Sequence, residues 1–288
     1  MAVNIQTIKD IRNFLLIELH DLYPETEINS MSGIIIQNSC KADRMKQITH
    51  PDLSVGSSVA EYIKTICSEL KTGKPIQYIL GETEFYSCRI IVNSNVLIPR
   101  QETEELVDLI IKENNGYTGS IIDFCTGSGC ISIALSINLP GSSVQATDIS
   151  EEALKVAAAN ASLNNTKIEL IHSDILGPVH PGLTKAGIIV SNPPYVRNSE
   201  KKLMHKNVLD FEPHSALFVS DDDPLIFYKA LLSASFTLLD ENGKIYFEIN
   251  EALGGKIESL FKSFGFMDTR IFKDINGKDR IARGVKNG

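Results

Sequence analysis

The chain has 288 residues, a formal net charge of −8 and 43% hydrophobic residues. That length suggests one large domain or two modest ones, and the composition is that of a globular chain with ample core material and no bias toward disorder. No apolar run approaches the ~18 residues of a membrane span, and the start, Met1–Thr7, lacks a basic then apolar leader, so no signal peptide and no membrane association are expected. With 28 Lys plus Arg against 36 Asp plus Glu, sequence-independent binding to DNA is disfavoured, because that binding rests on neutralising phosphates.

The cysteines, Cys40, Cys67, Cys88, Cys125 and Cys130, are odd in number and form no Cys-x-x-Cys. Neither a disulfide framework nor a zinc site follows from them. They read as small buried fillers in a cytoplasmic protein.

The first seventy or so residues read as helices. Ile8, Ile11, Leu15, Leu19 and Leu22 recur at helical spacing, and Pro24 stops the run. Ile28, Met31, Ile34 and Ile35 make a second apolar face, and a short third helix is placed at Asp43–Ile48. Ser58-Val59-Ala60-Glu61 has capping-box spacing and opens a helix with Val59, Ile63, Ile66 and Leu70 inward. Gly73 and Pro75 end it. Gln77–Leu97 reads as extended, with Tyr78, Ile79, Phe85, Tyr86 and Ile90–Val92 interleaved, and predicts a hairpin.

From Ser120 strands and helices alternate. Strands are predicted at Ile121–Phe124, Val144–Asp148, Ile168–His172, Ile188–Ser191 and Lys244–Ile249, with helices such as Ile131–Asn138 and Glu151–Asn160 between them. This pattern predicts an α/β fold with a mainly parallel, doubly wound sheet. Phe266–Phe272, a turn at Asn276-Gly277 and Arg280–Val285 add an antiparallel C-terminal hairpin.

The first of these strands runs through Cys125-Thr126-Gly127-Ser128-Gly129 into a helix. The two glycines let the backbone turn tightly and approach a ligand. A dinucleotide fingerprint needs a third glycine, three residues after Gly129, and Ile131-Ser132-Ile133 occupies that stretch. Asp148 ends the second strand, where a carboxylate can accept from ribose hydroxyls. Asp174 follows the third, within reach of an adenine amino group. Each feature also has a plain reading: a tight turn for the loop, helix N-caps for the two aspartates, with Ser150 competing for the cap. Together they describe a nucleoside cofactor without pyrophosphate, S-adenosylmethionine, which would leave as S-adenosylhomocysteine.

The fourth strand ends in Asn192-Pro193-Pro194-Tyr195. Read plainly, this is a proline-rich exit loop. Read as chemistry, it fits methylation of a planar NH₂ nitrogen, whose lone pair is delocalised as in a peptide bond. The Asn192 side-chain oxygen and the Pro193 carbonyl would each accept one N–H and favour the positive charge that develops on nitrogen. Pro193 and Pro194 would hold that carbonyl in place beforehand, and Tyr195 would pack flat on the planar group.

These residues resemble the release-factor glutamine methyltransferases. The resemblance runs through Gly73-Lys74-Pro75-Ile76-Gln77-Tyr78-Ile79-Leu80-Gly81, Phe85 and Leu97-Ile98-Pro99-Arg100-Gln101-Glu102-Thr103-Glu104. It continues through the Thr126–Gly129 loop, Asn192–Tyr195, Glu212-Pro213, Ala216-Leu217 and Lys278-Asp279-Arg280. It implies an S-adenosylmethionine-dependent protein-(glutamine-N5) methyltransferase of class I, acting in translation termination on the Gln of the Gly-Gly-Gln motif of peptide chain release factors. It also implies three segments: a helical bundle for substrate recognition at 1–75, a β-hairpin linker at 76–98 and the methyltransferase domain at 99–288. By the same resemblance, Cys125–Gly129, Asp148 and Asn192 contact the cofactor and Ile175 lies against the adenine. Phe85 closes over the substrate amide or simply packs the hairpin, and Arg100, Glu102 and Glu104 also fit an ordinary cluster of charges at a helix start.

The chain departs from the family pattern at Gln101, where Pro is usual, at Cys125, where Gly is common, and at Asn250, where Gly is typical. Ser220-Asp221-Asp222-Asp223-Pro224 replaces a Gly-rich turn. None of these removes a catalytic group. Other acceptors fit the same motif: a Gln of a large-subunit ribosomal protein, or the adenine N6 of a nucleic acid after base flipping. The run Arg197, Lys201, Lys202, His205, Lys206 would serve the last, or is a solvated face. A binding module without catalysis is the remaining reading. A monomer with no stable nucleic-acid partner is expected.

Overall fold

A computed structural model describes residues 5–288. Their contacts form two compact units, one running to Gly81 and including Lys206–Phe211, the other comprising Glu82–His205 and Glu212–Gly288. These divisions lie elsewhere than the expected 1–75, 76–98 and 99–288. Residues 76–81 go with the helices, and the hairpin goes with the sheet.

The first unit is helical. α1 (Ile8–Leu19) opens on a capping box, in which the Thr7 hydroxyl accepts from the Asp10 N–H and the Asp10 carboxylate accepts from the Thr7 N–H. The next helices are α2 (Glu25–Cys40), α3 (Arg44–Thr49, capped by Asp43) and α4 (Ser57–Leu70). Ile8, Ile11, Leu15, Leu19, Ile28, Met31, Ile35, Ile63, Ile66 and Leu70 share one core. Three details differ from the sequence reading. Leu22 is 55% exposed, because α1 ends at Leu19 and Pro24 serves as the N-cap of α2. Ile34 is 43% exposed, one step round the helix from buried Ile35. Ser58 makes no cap, because Gly56 takes that position and leaves Ser58 inside the first turn. Tyr78 and Ile79 lie in a short helix, α5 (Ile76–Leu80), closed by left-handed Gly81, and not in a strand.

The second unit begins with the antiparallel hairpin β1 (Glu82–Phe85) and β2 (Cys88–Ile91). Both turn residues, Tyr86 (φ 46°) and Ser87 (φ 61°), are left-handed, where Asn-Gly is the usual choice. Contacts from the next helix, α6 (Gln101–Glu113), hold them: the Tyr86 N–H donates to Glu104 Oε1 at 2.6 Å and its hydroxyl to Asp108 Oδ1 at 3.2 Å.

There follow β3 (Ser120–Phe124), α7 (Cys130–Asn138), β4 (Ser143–Asp148), α8 (Glu151–Leu163), β5 (Glu169–His172) and β6 (Ala186–Ser191). β7 (Val196–Arg197) and β8 (Phe218–Val219) pair as a small parallel ribbon, and between them α9 (Lys206–Phe211) belongs to the first unit. α10 (Ile226–Leu238), β9 (Leu239–Glu248), α11 (Gly254–Ser263), β10 (Phe266–Lys273) and β11 (Asp279–Lys286) complete the chain. The main sheet has the order β10-β11-β9-β6-β3-β4-β5. Its strands from β9 to β5 run parallel, and β11 is antiparallel to both neighbours. Ile122, Phe124, Ile189, Ile245 and Phe247 meet Tyr228, Leu231 and Leu232 of α10 and Ile257 and Phe261 of α11 in one core. The strand order reverses between β3 and β6, which opens a crevice at their carboxyl ends.

Two buried polar groups fix that end of the sheet. Asn160 of α8 accepts from the Ile91 N–H at 2.6 Å and donates to the Ile91 carbonyl at 3.0 Å and the Ser128 carbonyl at 2.9 Å. It thereby ties β2 to the loop after β3. Asp123, wholly buried on β3, accepts from Thr126 Oγ1 and Ser132 Oγ, each at 2.6 Å, while its Oδ1 has no partner. Burial outweighs these two donors and raises its pKa from 3.8 to about 6.

Both groups make checkable predictions. Asn160→Ala strips partners from three backbone groups and lowers stability by about 3 kcal/mol, read as the shift in a urea unfolding midpoint; a loss under about 1 kcal/mol would contradict the assigned role. For Asp123, the folded protein binds the proton more tightly than the unfolded chain. Its contribution is therefore unfavourable above about pH 6 and vanishes below the unfolded pKa of 3.8. The cost is about 3 kcal/mol for a shift of this size. The melting temperature of Asp123→Asn relative to the parent should accordingly rise by about 5 °C or more between pH 4 and pH 7. A pH-independent difference would show that this carboxyl is not the titrating group.

Candidate active site

The loop after β3 is built on three left-handed residues, Cys125 (φ 59°), Gly127 (φ 54°) and Gly129 (φ 78°). A Cβ on Gly129 would lie 3.1 Å from Ala157 Cβ, so this glycine permits the close approach of α8. A Cβ on Gly127 would meet nothing within 4 Å, because that stretch of backbone faces a cavity. Cys125 adopts the conformation despite its side chain, at a local cost of roughly 1–2 kcal/mol. Burial raises the Cys125 thiol pKa, so it stays protonated.

Asp148 joins the loop to the next strand. Its Oδ2 accepts from the Gly127 N–H at 2.8 Å and its Oδ1 from the Ser150 N–H at 2.9 Å. The helix-cap alternative falls away, because Ser150 caps α8 by accepting from the Ala153 N–H at 3.1 Å. Burial raises the Asp148 pKa, and the backbone donors from Ser150 and Gly127 oppose that shift. Each carboxylate oxygen keeps a second lone pair for a ligand hydroxyl. Asp174 Oδ1 accepts from the Leu176 N–H at 2.9 Å, which shapes the turn carrying Ile175.

One cavity of about 370 Å³ gathers these residues. Cys125, Thr126, Gly127, Ser128, Asp148, Asp174, Ile175, Asn192 and Pro194 line it. Gly129, Pro193, Tyr195 and Phe85 are not among the lining residues. Phe85 is 1% exposed at the end of β1. Pro193 is buried. Tyr195 packs against the main core, and its hydroxyl donates to Glu248 Oε1 at 2.8 Å. Burial and the facing Glu248 hold the Tyr195 pKa well above the ordinary 10.0. The aromatic residues lining the cavity are Phe218 and Phe227, with Lys201 Nζ 4.3 Å from the Phe218 ring centre.

The structure adds residues that the sequence reading left unassigned. Thr103 lines the cavity from α6. It accepts from Asn192 Nδ2 at 3.2 Å and donates to Glu248 Oε2 at 2.6 Å. Glu248 ends β9, is fully buried, and has its pKa raised by that burial against the opposing pull of Thr103 and Tyr195. Its only sequence signal is a carboxylate closing the apolar run Ile245-Tyr246-Phe247. Arg100 also lines the cavity, and its Nη2 pairs with Glu212 Oε1 at 2.5 Å while Glu212 Oε2 accepts from the Ile98 N–H at 3.2 Å. Two distant motifs, Leu97–Glu104 and Glu212-Pro213, thus close on one another. Asn250 donates to the Tyr195 carbonyl at 3.3 Å and to Glu200 Oε2 at 3.0 Å, a link that the usual Gly could not make.

Residues 101–211 match the methyltransferase small domain and residues 18–81 the PrmC N-terminal domain. The release factor glutamine methyltransferase of Flavobacterium psychrophilum is 45% identical over 280 residues, covering 96% of this chain and 98% of its own length. That of Bacteroides thetaiotaomicron is 42% identical, covering 91% of this chain and 94% of its own length. A methyltransferase from Pyrococcus furiosus shares the fold, with a TM-score of 0.52 at 17% identity, covering 81% of this chain and all of its own. A site built on the carboxyl ends of β3, β4 and β6, together with near full-length similarity on this scale, places the chain in the family of release factor glutamine methyltransferases.

Proposed function

We propose that this chain transfers a methyl group from S-adenosylmethionine to the side-chain amide nitrogen of the Gln in the Gly-Gly-Gln motif of peptide chain release factors. The observation that carries the reading is the placement of Asn192 in the same cavity as Gly127, Asp148 and Asp174, in a chain 45% identical over nearly its whole length to a release factor glutamine methyltransferase.

The residues present fit the cofactor. Gly127 leaves open space where a side chain would stand, so its backbone can lie against a ligand. Asp148 offers two oxygens to a ribose diol. Asp174 and Ile175 line the same cavity and would hold an adenine, one by its edge and the other by its face. The loop meets the N-terminal end of α7, whose dipole favours a carboxylate. Bound there, S-adenosylmethionine supplies an electrophilic methyl group on a sulfonium.

The chain's own task is to present the acceptor. An amide nitrogen is a poor nucleophile because its lone pair is shared with the carbonyl. The amide's two N–H bonds would go to Asn192 Oδ1, which lines the cavity, and to the carbonyl of Pro193, a buried residue that does not line it and has to come within reach as the substrate enters. The nitrogen would then turn its lone-pair axis toward the methyl group. Orientation of this kind can contribute up to ~7–11 kcal/mol in well-aligned systems. The same oxygens stabilise the charge that develops as the N–C bond forms. The methylated nitrogen then sheds one proton to solvent, so no tuned base is required. Tyr195 acts from behind the strand tip, through Glu248. Because Phe85 is buried at the end of β1 and does not line the cavity, Phe218 and Phe227 are the aromatic surfaces it offers to a substrate. Among the described residues no helix is long and apolar enough to cross a membrane, and a cytoplasmic location follows from the proposed substrate. A monomer remains our expectation.

Mass spectrometry of purified release factor, incubated with cofactor with and without this protein, tests the reading. A gain of one methyl on the Gly-Gly-Gln peptide is expected. Methyl transfer only to ribosomal protein or to nucleic acid would replace it with one of the other acceptors. Asn192→Ala should lower kcat by about a hundredfold or more, the scale seen when one polar contact to a transition state is removed, while cofactor binding by calorimetry persists. Near-normal turnover in that variant would refute the role of Asn192.

A further inference from the structure

An Asn side chain can turn either way about its last bond, and only one orientation serves this reaction. Its oxygen must face the substrate N–H. We propose that Thr103 and Glu248 are positioning residues that fix this choice, through a hydrogen-bond chain with a defined polarity. The proposal rests on the reading of Asn192 as the group that grips the acceptor amide.

The argument counts protons. Tyr195 is a phenol that burial keeps protonated, and its hydroxyl lies 2.8 Å from Glu248 Oε1. Thr103 Oγ1 lies 2.6 Å from Glu248 Oε2. Against the pull of burial, the charge of nearby Arg280 favours the ionised form of Glu248. A carboxylate only accepts, so both hydroxyls donate to it. Thr103 has a single hydroxyl proton. Once that proton points to Glu248, Thr103 can only accept from its second partner, the Asn192 side chain at 3.2 Å. Only the Asn192 NH₂ can donate there, which leaves Oδ1 for the cavity that Asn192 and Thr103 both line. The chain runs Asn192 to Thr103 to Glu248, with Tyr195 donating to Glu248 from the other side.

Three elements build it. Thr103 stands in the first turn of α6, Glu248 ends β9, and Asn192 follows β6, the strand that pairs with β9 at Ser191 and Phe247. Glu248 is 1% exposed and does not line the cavity, so it reaches the substrate only through its neighbours. Its two oxygens take one proton from each side, and the Asn192 amide orientation follows from that.

The test uses the full chain. Thr103→Val removes the acceptor at nearly constant volume and should lower kcat at least thirtyfold, with the cofactor Kd within twofold of the parent. Thr103→Ser restores the hydroxyl and should return kcat to within threefold. Glu248→Gln places a donor in the chain, permits the reversed polarity, and should lower kcat tenfold or more. A structural readout stands apart from turnover. In the ¹⁵N–¹H spectrum of the cofactor-bound protein, the Asn192 NH₂ pair, assigned by its loss in Asn192→Asp, should move in Thr103→Val and stay in place in Thr103→Ser. The proposal is overturned if Thr103→Val or Glu248→Gln keeps kcat within threefold, if Thr103→Ser is as impaired as Thr103→Val, or if the NH₂ pair does not respond to loss of the hydroxyl. A parent protein that transfers no methyl to release factor would sink the functional reading instead, and the spectrum would still decide the hydrogen-bond chain.

Discussion

The register of three parallel strands governs the site. Phe124 pairs with Thr147 on one side and with Ser191 on the other. The next residues, Cys125, Asp148 and Asn192, therefore leave the sheet at one level and at one edge. The Ser191 hydroxyl reinforces the alignment by donating to the Phe124 carbonyl at 2.7 Å. A slip of one residue would turn every side chain of the moved strand to the opposite face. It would also separate the proposed cofactor loop from the motif that grips the acceptor. Apolar residues buried on both faces, among them Ile121, Ile122, Ile188, Ile189 and Val190, make such a slip costly, and so the core sets the geometry of the chemistry.

Around this edge the protein buries several carboxylates, two of them held by donors distant in sequence and the third by the loop and helix that follow it. Glu212 joins Ile98 and Arg100, Glu248 joins Thr103 and Tyr195, and Asp123 joins Thr126 and Ser132. Buried charge is weak evidence for stability, since desolvation offsets much of the attraction. What these groups contribute is position. Segments that leave the sheet as irregular loops are pinned by directional bonds that an apolar contact could not supply. Tyr86 and Ser87 show the same economy at the hairpin, where contacts from Glu104 and Asp108 hold a turn that its own residues disfavour.

The sequence pattern was most legible where periodicity reflects burial on a regular element. The strands at Ile121–Phe124, Val144–Asp148 and Ile188–Ser191 and the helix α7 lie within a residue or two of their expected places, and α8 starts where expected and runs on to Leu163. It was least legible where a local rule had two solutions. Leu22 continues a helical repeat, yet the chain turns before it. Ser58 has the spacing of a cap, yet Gly56, two residues earlier, takes the position. Tyr78 and Ile79 have β propensity, yet Pro75 ahead and Gly81 behind frame a single helical turn. In each case tertiary packing selected between local options of similar energy.

By itself, the sequence determined the order of strands and helices, the glycine loop, the carboxylate after β4 and the motif after β6. These are local properties of spacing and residue type, and they were enough to predict a class of chemistry. Only the tertiary structure decided which side chains meet. It turned Tyr195 onto Glu248, buried Phe85 at the end of β1, and brought Thr103 within reach of Asn192 across 89 positions of chain. The physical reason is that hydrogen bonds between distant residues depend on strand register, helix rotation and the direction in which each side chain leaves its element, and none of these is fixed until the sheet and its covering helices have packed.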